Sequence, residues 1–428
     1  MENLKHEIKD TKGCGKRCHA SRLMPPRVSG LTSHAQWPKV KLGDAPITII
    51  DGDRGKNYPK QNELFASGYC LFLSAENVTR QGFRFDSNKF ITIQKDSVLR
   101  NGKLARFDII LTTRGTLGNV ALYGSSVPFE NVRINSGMLI LRCDTQKLLP
   151  NFLLYVLRSE DFISQVNGFK SGVAQPQLPI KDLKQIQIPL PPLPIQRRIA
   201  DVLSAYDDLI ENNRRRIAIL EETARLTYRK WFGGMEQSKT ATLGEVCQTF
   251  GGGTPKTSVP EFWNGDIPWV VPTDITRNTC LSVLDTERKI TELGLEKSST
   301  KMLPANAILM TSRASVGYFG IADFPVCTNQ GFISIVPNND SWRWYLLFNL
   351  MLRVEEIRSN AKGSTFPEIS RARFRSMNVA IPDDNALIEF NRAVEPLMQQ
   401  VRILAKQSAD LAAARDMLLP RLMKGFTN

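Results

Sequence analysis

The chain repeats itself with a period near 200 residues, so whatever it folds into must be built twice. Ile109-Ile110-Leu111-Thr112-Thr113-Arg114-Gly115-Thr116-Leu117-Gly118 returns as Ile308-Leu309-Met310-Thr311-Ser312-Arg313-Ala314-Ser315-Val316-Gly317. Val40-Lys41-Leu42-Gly43-Asp44 is echoed by Ala241-Thr242-Leu243-Gly244-Glu245, and Ile134-Asn135-Ser136-Gly137-Met138 by Thr328-Asn329-Gln330-Gly331-Phe332. Lys170-Ser171-Gly172 before Pro176 matches Lys362-Gly363-Ser364 before Pro367, and Pro191 matches Pro382. The offset drifts from 201 (Gly43 to Gly244) to 191 (Pro191 to Pro382), as loop deletions in the second copy would leave it. Each match is weak alone; their shared order makes the repeat.

Each copy changes texture once. Its first part mixes short β-like runs (47–50, 69–73, 109–113 and 138–142 in copy one) with Gly, Asn and Asp turns. A helical pattern follows, over 152–166 in copy one and 342–358 in copy two, so each copy predicts an α/β domain. The second part is one long helix. After Pro194, in a first-turn position, Ile199, Leu203, Tyr206, Ile210, Asn213, Ile217, Leu220, Ala224, Thr227 and Trp231 recur at steps of four and three, up to Gly233-Gly234. That is a coiled-coil seam. Copy two repeats it with Leu397, Val401, Leu404, Ser408, Leu411, Arg415, Leu418 and Leu422, starting after Pro396 and stopping at Gly425. Asn213 on the seam is either a tolerated polar residue or a buried one that fixes register. Two such helices paired antiparallel predict a pseudo-two-fold dumbbell, with the α/β domains at opposite ends. That shape suits two separated half-sites on one duplex, and the divergent loops 51–56 and 251–256 imply that the half-sites differ.

Charge and composition narrow the chemistry. Lys plus Arg number 56 against 42 Asp plus Glu, a net charge of +14, which attracts polyanions. No apolar run is long enough to span a membrane, and seven scattered cysteines suit reduced thiols in a cytoplasm. The three histidines, His6, His19 and His34, all precede residue 35, so the main body has no Ser-His-Asp triad, Cys-His dyad or His-ligated metal. Cys14, Cys18 and His19 cluster without a second ligand pair, and no metal is expected.

The run Pro189-Leu190-Pro191-Pro192-Leu193-Pro194-Ile195-Gln196-Arg197-Arg198-Ile199, continuing through Leu220-Glu221 to Trp231-Phe232, resembles the central region of specificity subunits of type I restriction-modification systems. Gly252-Gly253-Thr254-Pro255 leading to Trp263-Asn264-Gly265-Asp266-Ile267-Pro268-Trp269 resembles the start of a target-recognition domain in that family, and Leu418-Leu419-Pro420-Arg421-Leu422-Met423-Lys424-Gly425 its C-terminal end. The resemblance implies two α/β target-recognition domains in tandem, separated by two long antiparallel coiled-coil helices. It implies recognition domains over 37–193 and 240–382, a central helix over 194–232, and a helical region over 383–426 pairing with it; residues 1–36, read as a flexible basic leader, have no counterpart in the family's usual pattern. It further implies binding to a bipartite asymmetric site on double-stranded DNA, two methyltransferase subunits and added restriction subunits as partners, and a cytoplasmic location. The Pro-Pro-Leu-x-x-Gln pattern at 191–196 has no counterpart at 382–387, which bears on whether both methyltransferases are gripped equally.

No Asn-Pro-Pro-Tyr, Asp-Pro-Pro-Tyr or Gly-x-Gly-x-x-Gly stands in the chain, and Pro255 breaks the phosphate-loop pattern before Lys256. The polypeptide reads as non-catalytic, without a cofactor of its own; S-adenosylmethionine, ATP and Mg belong to the partner subunits. Basic residues in turns are the candidate DNA contacts: Arg54, Lys56, Arg80, Arg84 and Arg114 in copy one, Lys256, Arg277 and Arg313 in copy two. Arg214-Arg215-Arg216 reads as a solvated face or a partner contact. The helix pair is expected to join through Ile199, Leu203, Tyr206, Ile210, Asn213, Ile217 and Leu220 against Leu404, Leu411 and Leu418. Two other readings remain at this point, a coiled-coil scaffold joining non-DNA modules and a methyltransferase with an unrecognised site.

Overall fold

A computed structural model describes residues 37–169, 177–234, 239–363 and 367–424. The Cys14, Cys18, His19 cluster and Lys170-Ser171-Gly172 lie outside the described residues.

The repeat is visible strand by strand. In the first copy Ile47–Asp51, Met138–Cys143, Ile109–Thr112 and Val120–Leu122 form an antiparallel sheet in that order. Its counterpart is Cys247–Gly251, Phe332–Pro337, Ile308–Thr311 and Phe319–Ala322, extended by Ser282–Val283. A three-stranded sheet with one parallel pairing accompanies each: Cys70–Leu73 between Phe90–Ile91 and Val132–Ile134, then Trp263–Val270 between Arg288–Ile290 and Cys327–Thr328. A two-stranded ribbon ties the start of each copy to the strand before its long helix, Lys39–Lys41 with Gln187–Pro189 and Thr240–Thr242 with Asn378–Ala380. Central strands such as Ile109–Thr112 and Ile308–Thr311 are buried on both faces, which explains their unbroken apolar runs. The helical patterns at 152–166 and 342–358 each divide in two: Pro150–Arg158 and Glu160–Gly168, then Arg343–Leu352 and Val354–Ser359. Ser159 makes the first break, its hydroxyl capping the Phe162 N–H at 3.3 Å.

The central helix, Leu193–Phe232, and the C-terminal helix, Asp384–Lys424, are each about 60 Å long at 1.5 Å per residue. The second starts well before the Leu397 at which its seam was expected, and it continues through Pro396 and Pro420. Pro396 is exposed, so the carbonyl it leaves without a partner can take water. The helices run antiparallel: Asp207 of one meets Arg415 of the other, and Phe232 stacks edge-on against Phe390 at 5.1 Å. Ile199, Leu203, Asn213, Ile217 and Leu404 are buried on the seam, while Tyr206, Ile210, Leu220, Leu411 and Leu418 are half-buried. The last turns of the central helix bury Tyr228 and Phe232 rather than Thr227 and Trp231, and Trp231 is 42% exposed. A straight helix drifts off a strict four-three repeat by about 20° per heptad, enough to move the stripe one residue on.

The two units sit at opposite ends of this pair, and each core borrows from the far helix end. Ile199, Ala200 and Leu203 of the central helix share the first core with Leu419 and Leu422 of the C-terminal helix. Leu387, Phe390 and Val394 share the second core with Ala224, Tyr228 and Phe232. Each unit keeps its own core, and both long helices contribute to the main cluster of each. Trp37, at the start of the described chain, donates its indole N–H to the carbonyl of Leu422 at 3.2 Å.

The two junctions differ in chemistry. At the first, Asp207 accepts hydrogen bonds from Tyr155 (2.8 Å), Arg158 (3.4 Å) and Arg415. The helix starts, Leu193 and Asp384, differ by 191, which places Met398 where Asp207 stands and Ala224 where Arg415 stands. The match of Leu153-Leu154 to Leu346-Leu347, an offset of 193, places Phe348 and Met351 at Tyr155 and Arg158. The second junction is apolar at all four places.

Candidate nucleic-acid interface

The sheet register gathers three loops at one end of each unit. In the first, Asp51 opposes Leu139 and Thr112 opposes Met138, so the 52–57 loop, the 113–118 loop and the Asn135-Ser136-Gly137 turn emerge together. In the second, Gly251 opposes Ile333 and Thr311 opposes Phe332, which assembles 252–257, 312–317 and Asn329-Gln330-Gly331 in the same way. The turns are built alike. Asn135 and Asn329 accept from the N–H of Gly137 and Gly331 at 2.8 and 2.9 Å, and those glycine carbonyls accept from Thr113 and Ser312, each at 2.8 Å. Gly52 and Gly252 pack onto these turns so closely that an added Cβ would lie 2.3 and 1.9 Å from the carbonyl oxygens of Asn135 and Asn329.

All eight candidate DNA contacts are exposed; Arg54, Lys56, Arg114, Lys256 and Arg313 stand on these loops, while Arg80, Arg84 and Arg277 lie outside them. Asp53, buried, holds the first loop by accepting from Gly55 N–H (2.8 Å) and Arg100 N–H (2.7 Å). The Gly55 bond keeps its carboxyl below the ordinary range. On that loop Arg54 reaches Asp51 at 3.1 Å and the Ser136 carbonyl at 3.3 Å, and Lys56 stands beside it. Arg114 is bridged through its backbone to Gln177, as Arg313 is to Glu368. Arg80 tips the Val78–Thr79/Gly82–Phe83 hairpin, fixed to the 113–119 loop by the Asn119 side chain donating to Val78 O at 2.9 Å. Arg80 and Arg277 are structural equivalents. Ser74 N–H meets the Asn77 side chain at 2.9 Å, Val271 N–H meets the Asp274 side chain at 2.8 Å, and each arginine follows three residues later. Lys256 lies on a loop anchored by the Trp263 indole, which donates to its carbonyl at 3.2 Å.

Four of the eight have acidic neighbours: Arg54 with Asp51, Arg84 with Asp86 (3.1 Å), Arg277 with Glu287 (4.0 Å) and Arg313 with Glu368 (3.7 Å). Exposed pairs of this kind contribute only ~0–1 kcal/mol, so a phosphate can displace the carboxylate at little cost. Arg214 and Arg215 of the central helix both pair with Glu211, at 2.7 and 2.8 Å.

The basic ends face each other. Leu149 N–H meets Gln196 near the start of the central helix, and Arg158, touching Gln81 of the hairpin at 3.5 Å, meets Asp207 further along. In the second unit Leu281, just past Arg277, meets Glu221. The helix between Asp207 and Glu221 therefore separates the two loop clusters. Sequence reasoning did not find Gln196's place: it is buried, accepting from Leu149 N–H and donating to the carbonyls of Lys147 and Pro191, and Leu387 fills the equivalent place in copy two. It also missed the Asp207, Arg158 and Arg415 cluster, whose members lie far apart along the chain.

The chain matches the model of the type I restriction modification DNA specificity domain twice, over residues 35–222 and 235–409, and it belongs to that family. It is 35% identical to the type I restriction enzyme MjaIX specificity subunit of Methanocaldococcus jannaschii over 40% of this chain, spanning 41% of that relative's length. To the HindI specificity subunit of Haemophilus influenzae it is 20% identical over 87% of this chain and 98% of the relative. The crystal structure of a type I restriction-modification S subunit from M. genitalium shares the fold, with a TM-score of 0.55 at 17% identity, covering 93% of this chain and 99% of that one. Among the described residues no helix is long and apolar enough to cross a membrane.

Proposed function

We propose that this chain is the DNA-specificity subunit of a type I restriction-modification complex. It binds a bipartite, asymmetric duplex sequence and brings methyltransferase and restriction subunits to it. The supporting observation is the pair of equivalent basic loop clusters facing each other across one helix pair. Each cluster reads one half-site, and a differing residue at a matched place (Arg54 against Thr254, beside the shared Lys56 and Lys256) makes the half-sites unlike. The chain takes no part in the chemistry; S-adenosylmethionine, ATP and Mg act on the partners.

The helix between Asp207 and Glu221 spans fourteen residues (221 less 207), about 21 Å at 1.5 Å per residue, or about six base pairs at 3.4 Å each. Methylation-sensitive sequencing of a genome carrying this chain and its methyltransferase partner should return one split motif with about six unread positions. A contiguous motif would falsify the proposal. Exchange of residues 240–382 for those of another family member should change one half of that motif alone. The exchanged segment leaves both long helices, which complete both cores, intact.

A further inference from the structure

The second unit carries a basic surface that the first lacks. Helix Arg371–Arg375 buries Phe374 and exposes Arg371, Arg373 and Arg375. The matching helix in copy one, Ile180–Leu183, buries Leu183 where Phe374 stands, and puts Ile180 and Asp182 at the places of Arg371 and Arg373. Lys184 and Arg375 are the shared members, each packed on the glycine of its own repeat, Gly43 or Gly244. The stretch thus carries +3 in copy two against +1 in copy one (Lys181 and Lys184 less Asp182). Arg371 and Arg375, one helical turn apart, line a cleft of about 580 Å³ with Thr242 and Thr249. Its guanidinium neighbours are uncharged: Arg375 donates to Gly244 O at 3.2 Å, and Arg373 to the Asn360 side-chain oxygen at 2.7 Å. Glu245 also lines the cleft, but one carboxylate oxygen is taken by the Thr242 N–H (2.6 Å) and hydroxyl (2.8 Å). The cleft opens from the recognition end, since Arg371 lies against Gly251, where the 252–257 loop begins.

Building on the DNA-recognition reading above, we propose that helix Arg371–Arg375 is a phosphate-binding flank peculiar to the second unit. It holds the sugar–phosphate backbone next to the second half-site, on the side away from the gap, and reads no bases. Uncompensated guanidinium groups beside an open cleft suit a polyanion, and phosphate contacts position a duplex without specifying its sequence.

The test uses the full-length chain and a duplex bearing its methylation motif. R371Q/R373Q should lower the slope of log affinity against log salt by about two, since each phosphate no longer neutralised removes about 0.9. Ethylation interference should lose phosphates flanking the second half-site, the ranking of base substitutions should stay as in the parent, and K181Q in copy one should change neither slope nor footprint. An unchanged slope and footprint for R371Q/R373Q, with the parent still binding both half-sites, overturns the flank while leaving the DNA-recognition reading intact. A parent with no salt-dependent duplex binding overturns both.

Discussion

Glu221 sits on the central helix where the second unit leans on it, and its carboxylate accepts the Leu281 N–H at 2.7 Å. Burial pushes its carboxyl up to about 7, with that bond pulling the other way. An unfolded chain releases this proton near 4.5, so between 4.5 and about 7 the folded state holds a proton that the unfolded state has lost. The stability carried by the neutral form is complete below 4.5 and fades as pH rises through 7. Glu221→Gln keeps an acceptor for Leu281 and cannot ionise. It should match the parent near pH 4.5 and exceed it by about 3 kcal/mol near pH 8, as read by urea unfolding at both. A parent equally stable at the two pH values would remove Glu221 from the account. Glu221 was visible in the sequence as part of a Leu-Glu pair, but its burial was not, because the covering residue lies 60 positions away. The arginines at the sheet ends were more legible: Arg114 and Arg313 follow a repeated Ile/Leu run into a turn. Their partners Gln177 and Glu368 arrive from distant segments that no local pattern announces.

At the scale of the element, the long helices were readable because their seam rests on spacing alone. The misreadings came where spacing and geometry part. The central stripe rotates to Tyr228 and Phe232, and the seam of the C-terminal helix, expected from Leu397, begins earlier because Leu387, Phe390 and Val394 already have a core to enter. Pro396 concealed the earlier part of that seam, since a proline normally marks a boundary. Clamped at Asp207–Arg415 and again at Phe232–Phe390, the pair acts as a spacer only if both helices change together. Insertion of four residues after Arg216 and four after Gln407 adds about 6 Å to each helix, and four residues nearly preserve the four-three seam. The unread gap should lengthen by about two base pairs, with both half-sites unchanged, in the methylation motif of cells carrying the variant. An unchanged gap in an active variant would assign the spacing to DNA bending or to the partner subunits instead.

On the scale of the whole molecule, the unlike junctions give a nearly two-fold body a direction. An ionic cluster around Asp207 holds one end, and Met398, Ala224, Phe348 and Met351 pack the other, so the halves cannot trade places without stranding a charge. Trp37 bonds to the Leu422 carbonyl, so the beginning of the first copy meets the end of the second helix. The second copy begins in the same relation to the central helix: Thr240–Thr242 follows soon after Phe232. In space the described residues form a circuit of two links, closed at one side by the Trp37–Leu422 contact. A permuted chain, opened within 235–238 and sealed from residue 424 to residue 37 by a short Gly-Ser linker, should keep the parent's split motif and its gap, with a melting temperature within a few degrees. Loss of the motif in a permutant that still folds would mean that the cut itself, rather than the closed circuit of packed elements, sets which unit reads which half of the DNA.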